Sequence, residues 1–298
     1  MIVRELDELP RRPRTVAIGT FDGVHLGHRA VIDASDTVLT FDPHPVTVIH
    51  PEARPKLLTS FAIKRDLLAV LGVAELVVIR FDANFAAKSA EEFIDEVLIG
   101  RLRATQVSVG ENFRFGRGAR GDAALLRTRK EFETRVVPLV EVAGEDVSSS
   151  HVRALVAAGE LRKAADYLGH PFVLDGQVVA GDARGRELGM PTANIVPDDH
   201  LVCPGHGVYV GTGIVDGVSH QAAISVGVRP TFETGRGLLI EAHLLDFSGD
   251  LYGRTLRVSF LERLRGERRF DSTAALVEQM RRDVEQARRI GSATVPPQ

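Results

Sequence analysis

A glycine-rich segment with two histidines follows directly after an apolar run near the start of the chain. Its order is Gly-Thr-Phe-Asp-Gly-Val-His-Leu-Gly-His at residues 19–28. Gly19 and Gly23 allow a backbone to approach a phosphate closely. His25 and His28 are three residues apart, which places both imidazoles on one side of a first helical turn. Because a helix N-terminus offers free N–H groups and a positive dipole end, the segment predicts a phosphate-binding turn whose histidines donate hydrogen bonds to developing charge.

Two other interpretations of this segment stay open. It suits an ordinary strand–helix connection with two surface histidines. It also suits a zinc site, for which a third ligand must come from elsewhere, since the single cysteine of the chain, Cys203, is distant in sequence. The position of the segment at the end of a strand favours phosphate binding.

Three serines precede a second helical segment. Ser148, Ser149 and Ser150 stand before the sequence VRALVAAG, where an N-cap hydroxyl is preferred. Their hydroxyls and the helix N-terminus suit the β- and γ-phosphates of ATP, and Arg153 follows one turn into the helix. The residues alone favour a simpler interpretation, an ordinary serine cap with a solvated arginine.

A third polar segment begins at Gly181. It contains Arg184 and Gly185 and predicts a flexible loop that wraps phosphates with backbone N–H groups. Thr192 and Asn194, in a polar turn at its end, offer neutral oxygens suited to Mg²⁺. Taken alone, the pattern favours a plain hairpin loop, and the chain contains no G-x-x-x-x-G-K-[ST] phosphate-binding motif.

Two further segments stand at or beside predicted strands. Glu241 and His243 share the polar face of the alternating stretch at residues 240–244, which predicts two solvated side chains on a half-exposed strand. The loop VGENFRFGRG follows the fourth predicted strand, and its Phe113 and Phe115 suit inward packing.

Short apolar runs in the first half of the chain predict buried parallel strands. They lie at residues 15–21, 37–41, 74–81 and 104–110. Between them, residues 61–71 and 90–98 carry apolar side chains at helical spacing. This alternation predicts an α/β domain with a doubly wound parallel sheet, in which ligands bind beyond the carboxyl ends of the strands.

The second half of the chain predicts a small antiparallel β-barrel with a C-terminal helix. After about residue 170, strand-like runs are separated by turns that contain Gly and Asp. A final amphipathic helix is expected after Asp271 as N-cap, with one apolar stripe formed by Leu276, Met280, Val284 and Ala287. A helix-stopping Gly169 just before Pro171 indicates two domains, residues 1–169 and 170–298.

Composition limits the classes of partner and compartment. The 298 residues include 37 Lys and Arg against 40 Asp and Glu, a formal charge of −3, which argues against binding of nucleic acid or an anionic membrane. A single cysteine excludes an internal disulfide, and neither a secretory signal nor 18 consecutive apolar residues occur. We expect a cytoplasmic protein, and a weak or transient homo-oligomer stays possible.

Seven segments follow the order found in prokaryotic bifunctional riboflavin kinase/FAD synthetases. GTFDGVHLGH resembles the HxGH signature of the nucleotidyltransferase superfamily in the form used by that family. The other six are TFDPHP, VGENFRFGRGARGD, VSSSHVR, GRELGMPTAN, GVRPTF and EAHLLDFSGDLYG, so the resemblance covers almost the whole chain. It implies a C-terminal kinase that converts riboflavin to FMN and an N-terminal Rossmann-like domain that adenylylates FMN to FAD, releasing pyrophosphate.

The resemblance also implies roles for single residues in the adenylylation site. Those assigned to ATP and its phosphates are Gly19, Phe21, Gly23, Ser149 and Ser150. Those assigned to catalysis are His25, His28 and Arg153. Asn112 would orient Mg²⁺–ATP, and Phe113 and Arg114 would border the flavin.

A second set of roles belongs to the kinase site. The phosphate-binding residues would be Gly181, Arg184 and Gly185, and the Mg²⁺ ligands would be Thr192 and Asn194. Arg229 would contact the flavin. Glu241 would be the general base that takes the proton from the ribityl 5′-hydroxyl, with ATP as co-substrate.

Two departures from the family and two rival functions accompany this assignment. Ser150 stands where the family commonly has Thr, and only 14 positions separate His28 from Asp42, which predicts a first helix of little more than two turns. The first rival is another small-molecule nucleotidyltransferase with an unrelated C-terminal module. The second is a flavin-binding carrier or regulatory protein in which one catalytic site has decayed. The PTAN and EAHLLDF segments count against the first rival, and the retained histidines, Asn194 and Glu241 against the second.

Overall fold

The computed structural model describes residues 1–181, 185, 189–228 and 238–294, with no side chains for 291–294. Two predicted site residues, Arg184 and Arg229, lie outside the described residues. The chain divides into two compact units. The first comprises Met1–Pro55 and Lys64–Ser149, and the second comprises Lys56–Ile63 and Ser150–Gln298.

The first unit contains the predicted parallel sheet. Its strands are β1 (Ile2–Glu5), β2 (Arg14–Ile18), β3 (Thr37–Asp42), β4 (Glu75–Arg80), β5 (Ala104–Gly110) and β6 (Glu133–Val137). They pair in parallel in the order β1-β4-β3-β2-β5-β6. A two-stranded hairpin of β7 (Glu141–Val142) and β8 (Glu145–Asp146) follows. The doubly wound prediction is confirmed, with β1 and β6 as strands that had not been predicted.

Helices cover both faces of this sheet. They are α1 (Leu26–Ile32), α2 (Pro45–Ile49), α3 (Phe61–Val70), α4 (Ala83–Ala86), α5 (Ala90–Glu92), which continues as a π-helix (Phe93–Arg101), and α6 (Ala123–Arg127). Single 3₁₀ turns span Leu6–Glu8, Pro51–Ala53 and Arg117–Ala119. Along β2, Val16 and Ile18 belong to one buried cluster and Ala17 to the other. The seven residues of α1 make about two turns, as the short crossover predicted.

A buried ion-pair cluster is centred on Glu75 in the first unit. Glu75, at the start of β4, accepts from Arg14 Nε at 2.6 Å, Arg12 Nη2 at 2.9 Å and Arg4 Nε at 2.9 Å. The Arg14 side chain is fully buried and that of Glu75 is 5% exposed. Because each buried charge has a partner of opposite sign, the ion pairs offset the cost of burying Arg14 and Glu75 away from water.

The second unit is the predicted antiparallel barrel. Its strands are β9 (Phe172–Val179), β10 (Ala193–Pro197), β11 (Gly207–Val215), β12 (Val218–Val228), β13 (Leu238–Leu244) and β14 (Thr255–Arg265). They close in the order β10-β13-β12-β11-β14-β9. Helices α7 (Ser149–Ala158) and α8 (Leu161–Leu168) precede the barrel, and α9 (Thr273–Thr294) follows it. Gly169 ends α8 in the left-handed conformation, φ 73°, which confirms it as the predicted helix stop.

Two local predictions were wrong. Asn194 lies in strand β10 and not in a polar turn, because Ala193 and Ile195 turn into the barrel and pair with Ala242 and Ile240. The cap of α9 is also one residue later than predicted. Ser272 Oγ accepts from the N–H of Ala275 at 3.2 Å, so Ser272 rather than Asp271 caps the helix.

Candidate active sites

The connection between β2 and α1 brings the two histidines together. His25 caps α1, and its Nδ1 accepts from the backbone N–H of His28 at 3.2 Å. The two rings stack with centroids 3.5 Å apart. Because Nδ1 of His25 is an acceptor, the neutral ring carries its proton on Nε2, which makes that nitrogen a donor. The predicted pair of imidazole donors on one side of a helical turn is therefore geometrically possible.

The backbone of this turn has an unusual conformation. Phe21 and Val24 have φ values of 50° and 44°, in the left-handed region that favours glycine, and Gly23 has φ 88°. Ser149 Oγ donates to the Asp22 carbonyl at 2.9 Å. A strained conformation persists only where its surroundings determine it, so the hydroxyl of Ser149 serves to hold the turn.

A cavity of about 430 Å³ opens at the carboxyl ends of β2, β3 and β5. Its lining includes eight residues that were predicted for the adenylylation site: Gly19, Phe21, His25, His28, Asn112, Phe113, Arg114 and Ser149. His44, which was interpreted as part of a rigid strand exit, also lines it. The cavity lies where ligands bind in an open α/β sheet.

A second cavity of about 470 Å³ adjoins the first and has six phenylalanines in its lining. The two share Phe41, Pro45, Phe113 and Arg114. Phe113 stacks on Phe115 with ring centroids 5.5 Å apart, while Phe115 is 8% exposed and belongs to the hydrophobic core. Phe115 therefore packs inward, as the sequence suggested for both phenylalanines, whereas Phe113 forms part of the wall of both cavities.

The other predicted residues of this site are placed separately. Arg114 Nη1 pairs with Asp122 at 3.1 Å. Ser150 and Arg153 belong to the second compact unit, where Arg153 Nη1 donates to Ser150 Oγ at 3.4 Å. Their role at the histidine turn stays a prediction. Among the described residues, no group of three His, Cys, Asp or Glu side chains is arranged to hold a metal ion.

The barrel carries a row of polar residues across three neighbouring strands. Asn194 of β10 pairs with Glu241 of β13, and Glu241 pairs in turn with Ser225 of β12. Cross-strand partners point to the same face of a sheet. Ile195 and Ile240, one step along, are fully buried, which puts the polar row on the outer face of the barrel wall.

Helix α9 covers part of that face and leaves a cavity of about 280 Å³. Its lining includes Thr192, Ser225, Glu241 and His243 from the barrel side. The helix contributes Leu276, Met280, Asp283 and Val284. Leu276, Met280 and Val284 of the predicted apolar stripe thus line the same cavity as Glu241, and the helix packs on β11 and β12.

Two ion pairs attach α9 to the barrel. Arg265 of β14 pairs with the buried Asp283 at 2.7 Å, and Gln279 donates to the same carboxylate at 2.9 Å. Arg288 makes a two-bond pair with Asp246 at 2.6 and 2.9 Å. A bidentate arginine–carboxylate pair fixes orientation as well as distance. The position of the cavity wall is therefore set by ion pairs at the middle of the helix and in its C-terminal half.

Of the two residues predicted as Mg²⁺ ligands, Thr192 lines this cavity, whereas Asn194 is the strand partner of the lining residue Glu241. Asn194 is 6% exposed, and among the described residues its buried Oδ1 has no hydrogen-bond partner. Thr192 lines the cavity and also an adjoining one of about 250 Å³ that contains Tyr252. An unpaired buried carbonyl oxygen is unfavourable unless a ligand satisfies it. The donor set therefore fits a hard cation or a bound polar group.

Both glycines of the predicted phosphate loop are required where they stand. A Cβ on Gly181 would lie 2.1 Å from Asn194 Nδ2, and one on Gly185 would lie 2.5 Å from the Met190 carbonyl. Gly185 also lines the cavity. Glycine is therefore needed at these two positions because Asn194 and Met190 come too close for a side chain to fit.

Three polar residues in or next to the two sites were missed from the sequence. Lys64 is buried in α3 and its Nζ donates to the Thr20 carbonyl at 2.8 Å. Ser225 and Asp283 line the barrel cavity. Each has an ordinary polar position in a helical or alternating pattern, and only tertiary packing reveals it.

Comparison with known proteins finds matches along the whole chain. A family model described as FAD synthetase matches residues 8–151, and one described as riboflavin kinase matches residues 168–291. The bifunctional riboflavin kinase/FMN adenylyltransferase of Listeria monocytogenes is 34% identical, covering 95% of this chain and 94% of that protein. That of Escherichia coli K12 is 36% identical, covering 99% and 98%.

One solved structure has the same fold over nearly its full length. It is described as a macrolide-efflux protein from Streptococcus pneumoniae, is 30% identical, and superposes with a TM-score of 0.86. The match covers 97% of this chain and 99% of that one. In the described part of this chain, no helix has the length and apolar character needed to cross a membrane.

Proposed function

Since this chain belongs to the family of bifunctional riboflavin kinase/FMN adenylyltransferases, we propose that its two activities are located at the two sites described above. The chain phosphorylates riboflavin to FMN with ATP, and it transfers an adenylyl group from ATP to FMN to give FAD and pyrophosphate. The kinase activity belongs to the C-terminal domain and the adenylyltransferase activity to the N-terminal domain.

The adenylyl transfer is assigned to the cavity at the histidine turn. An oxygen of the FMN phosphate attacks the α-phosphorus of ATP, and the bond to the β-phosphate oxygen breaks so that pyrophosphate leaves. His25 Nε2 and the ring of His28 donate hydrogen bonds to the oxygens of the α-phosphate as charge accumulates there. The first N–H groups of α1 add to this field. The observation that carries this assignment is the stacked histidine pair inside the cavity.

The neighbouring aromatic cavity suits the flavin ring of FMN. Phe41, Phe81, Phe85 and Phe113 line it, and Arg114 lies where it meets the histidine cavity. A flat heteroaromatic ring gains from contact with such side chains. The phosphate of the same molecule would then be directed toward the turn, with Arg114 available to its charge.

Riboflavin phosphorylation is assigned to the cavity between the barrel and α9. Glu241 takes the proton of the ribityl 5′-hydroxyl, the oxygen attacks the γ-phosphorus of ATP, and ADP leaves. Leu276, Met280 and Val284 supply an apolar wall for the flavin ring. The pairing of Glu241 with Asn194 on adjacent strands carries this assignment, because it puts a base beside the proposed cation ligand.

Mg²⁺ is proposed as the metal of both reactions. Thr192 and Asn194 would hold it in the kinase site, and Asn112 in the adenylylation site. When bound, the ion neutralises phosphate charge and orients the triphosphate. The buried Oδ1 of Asn194 supports the assignment in the kinase site, since it has no partner among the described residues.

Neither reaction is proposed to pass through a covalent enzyme intermediate. The one cysteine, Cys203, is largely buried, and this burial raises the pKa of its thiol to about 11. At neutral pH the thiol therefore stays protonated and is a poor nucleophile. Direct in-line transfer between substrates is proposed for the phosphoryl group of the kinase reaction and for the adenylyl group of FAD formation.

A domain boundary at residues 169 and 170 is proposed. It is supported by the end of α8 at Gly169 and by the start of the riboflavin kinase match at residue 168. We also propose a cytoplasmic enzyme without a nucleic-acid or membrane partner that self-associates weakly at most. The formal charge of −3 supports the absence of such partners.

One incubation tests whether the protein has both proposed activities. The protein is mixed with riboflavin, ATP and Mg²⁺, and the flavins are separated by chromatography over time. FMN should appear first and FAD should follow. Flavin that co-purifies with the protein, without turnover of either kind, would instead favour the flavin-carrier alternative.

A further inference from the structure

Lys64 is a buried lysine outside both proposed sets of site residues. It lies in α3 and is 8% exposed. Its Nζ donates to the carbonyl of Thr20, 2.8 Å away, and Thr40 Oγ1 donates to the same carbonyl at 3.2 Å. Burial lowers the pKa of Lys64, while the charges of Asp22 and Asp42 act in the opposite direction.

A lysine in this environment is unfavourable for packing alone. Moving an ammonium group out of water is costly, and an apolar residue would fill the same space without that cost. The neighbouring Leu68 of the same helix is fully buried in the hydrophobic core. We therefore look for a functional reason for the buried cation in its contact with the phosphate turn.

The strained residue of that turn is held on both sides. Phe21, with φ 50°, is preceded by Thr20, whose carbonyl accepts from Lys64 and Thr40, and followed by Asp22, whose carbonyl accepts from Ser149. The ring of Phe21 is 1% exposed and meets the ring of His28 edge-on, with centroids 5.3 Å apart. A chain of contacts thus leads from Lys64 through Thr20 and Phe21 to His28.

We propose that Lys64 is a positioning residue for adenylyl transfer, which fixes Phe21 through the Thr20 carbonyl and so sets the orientation of His28. The inference rests on the proposed function of His28 as a donor to the α-phosphate. The positive charge of Lys64, whose Nζ is hydrogen-bonded to the Thr20 carbonyl of the turn, also attracts the negative charge that ATP brings to that site.

A matched set of variants separates the charge and the strong donor from general packing. Lys64→Met keeps the length of the side chain and removes the charge and the donor. Thr40→Val removes the weaker donor to the same carbonyl and leaves the charge in place. We expect Lys64→Met to lower kcat for FAD formation by about 10- to 100-fold and Thr40→Val by no more than about 5-fold. Lys64→Arg should recover most of the rate lost in Lys64→Met, because it restores a cationic donor.

Two internal measurements keep these results interpretable. Riboflavin phosphorylation, assayed on the same samples, should stay within about 2-fold of wild type, and the KM for FMN should stay within about 3-fold. If Lys64→Met lowers the melting temperature by more than about 10 °C, Lys64→Gln replaces it, because this variant removes the charge and keeps a shorter neutral donor. Its rate of FAD formation should still lie below that of Lys64→Arg.

A double-mutant cycle then tests the route through His28. If Lys64 acts by placing His28, Lys64→Met should have little further effect on FAD formation in a His28→Ala background. Full multiplication of the two losses would overturn the inference, and so would wild-type FAD formation by a folded Lys64→Met protein. If His28→Ala itself made FAD at the wild-type rate, the proposed function of His28 would fail instead, which is a different result.

Discussion

His25 Nδ1 accepts a hydrogen bond from the backbone N–H of His28, 3.2 Å away, so the two histidines are joined through the main chain of one of them. This bond caps helix α1 and fixes the protonated nitrogen of His25 at Nε2. Replacing His28 by Ala leaves the cap intact, because the donor is its backbone N–H, whereas replacing His25 by Ala removes the acceptor and with it the cap. The two histidines are therefore expected to differ in what their loss does to the fold.

His28→Ala should lower FMN-to-FAD conversion by about 10²- to 10³-fold and leave riboflavin phosphorylation nearly unchanged. The reason is the loss of one hydrogen-bond donor to the α-phosphate in a protein whose helix cap survives. Chromatographic assay of both products, with a thermal melt of the variant, checks this. His25→Asn, which keeps a capping acceptor but has no Nε2 donor, should behave alike. Equal damage to both activities would refute separate sites.

Glu241→Gln should stop riboflavin phosphorylation while FAD is still made from supplied FMN. The substitution keeps the size of the side chain and removes the base that accepts the 5′-hydroxyl proton. Glu285→Gln, at an exposed position of α9, is the matched control and should leave both rates unchanged. A wild-type kinase rate in folded Glu241→Gln protein would reduce Glu241 to an ordinary strand residue.

Asn194→Ala should raise the Mg²⁺ concentration that half-saturates the kinase reaction by about 10-fold or more. The buried Oδ1 of Asn194 has no partner among the described residues, and a cation is the ligand proposed for it. Mg²⁺ titrations of FMN formation and of FAD formation are compared on one preparation. The adenylylation curve should not move. A parallel shift of both curves, or of neither, would contradict the assignment.

The stabilisation from Glu75 should depend on pH in a defined direction. Burial by itself raises the pKa of Glu75, but the hydrogen bond and charge of Arg14 and the charge of Arg12 outweigh it and bring the pKa below its ordinary value of 4.5. A depressed pKa in the folded state gives stability that is present above the unfolded value and is lost as the pH falls through the folded value.

Glu75→Gln should accordingly lower the free energy of unfolding at pH 7 by about 3–5 kcal/mol, because it leaves buried Arg14 without its partner. The difference from wild type should shrink below about pH 4.5. Urea unfolding across this pH range checks both statements. Glu96→Gln, which removes an exposed ion pair with Lys88, is the control and should change stability by less than about 1 kcal/mol.

Helices α7 and α8, which precede the barrel in the chain, should decide how well the kinase half folds alone. Leu161, Ala164 and Leu168 of α8 are buried, and α8 contacts β9 and β14. A fragment from Pro171 to Gln298 is expected to fold and to convert riboflavin to FMN without making FAD. A fragment from Ser150 should be more stable, by about 3–6 kcal/mol of apolar burial. If a well-folded fragment phosphorylates nothing, the kinase site needs residues from the first half.

The fold was predictable where local pattern and tertiary pairing agree. Residues 104–110, for example, form β5 with the predicted bounds. The pattern failed at β10, where the Pro-Thr-Ala-Asn sequence at residues 191–194 resembles a turn and a second proline, Pro197, ends the strand. Only its pairing with β13 makes Asn194 a strand residue. Strand β1 was missed because its four residues are stabilised by β4, which lies about 70 positions later in the chain.

The sites were predictable to the extent that their residues are close in sequence. His25 and His28 lie within one turn, so their spacing alone predicts that both rings lie on one side of it, whereas their stacking is known only from the structure. Lys64 belongs to the same site, but the packing of α3 beneath Thr20 is a tertiary event. A lysine inside an amphipathic helix has the same local pattern whether it is buried or solvated.

The attachment of α9 over the barrel cavity has a consequence for synthesis of the protein. The residues that form the histidine cavity have all been translated by Ser149, whereas the wall of the kinase cavity comes from Thr273–Thr294. At the usual rate of about 5–20 residues per second, several seconds separate the two events. A nascent chain can therefore complete its adenylylation pocket while riboflavin still lacks a closed place to bind. Proteolytic loss of this helix would leave an enzyme that uses FMN but no longer makes it.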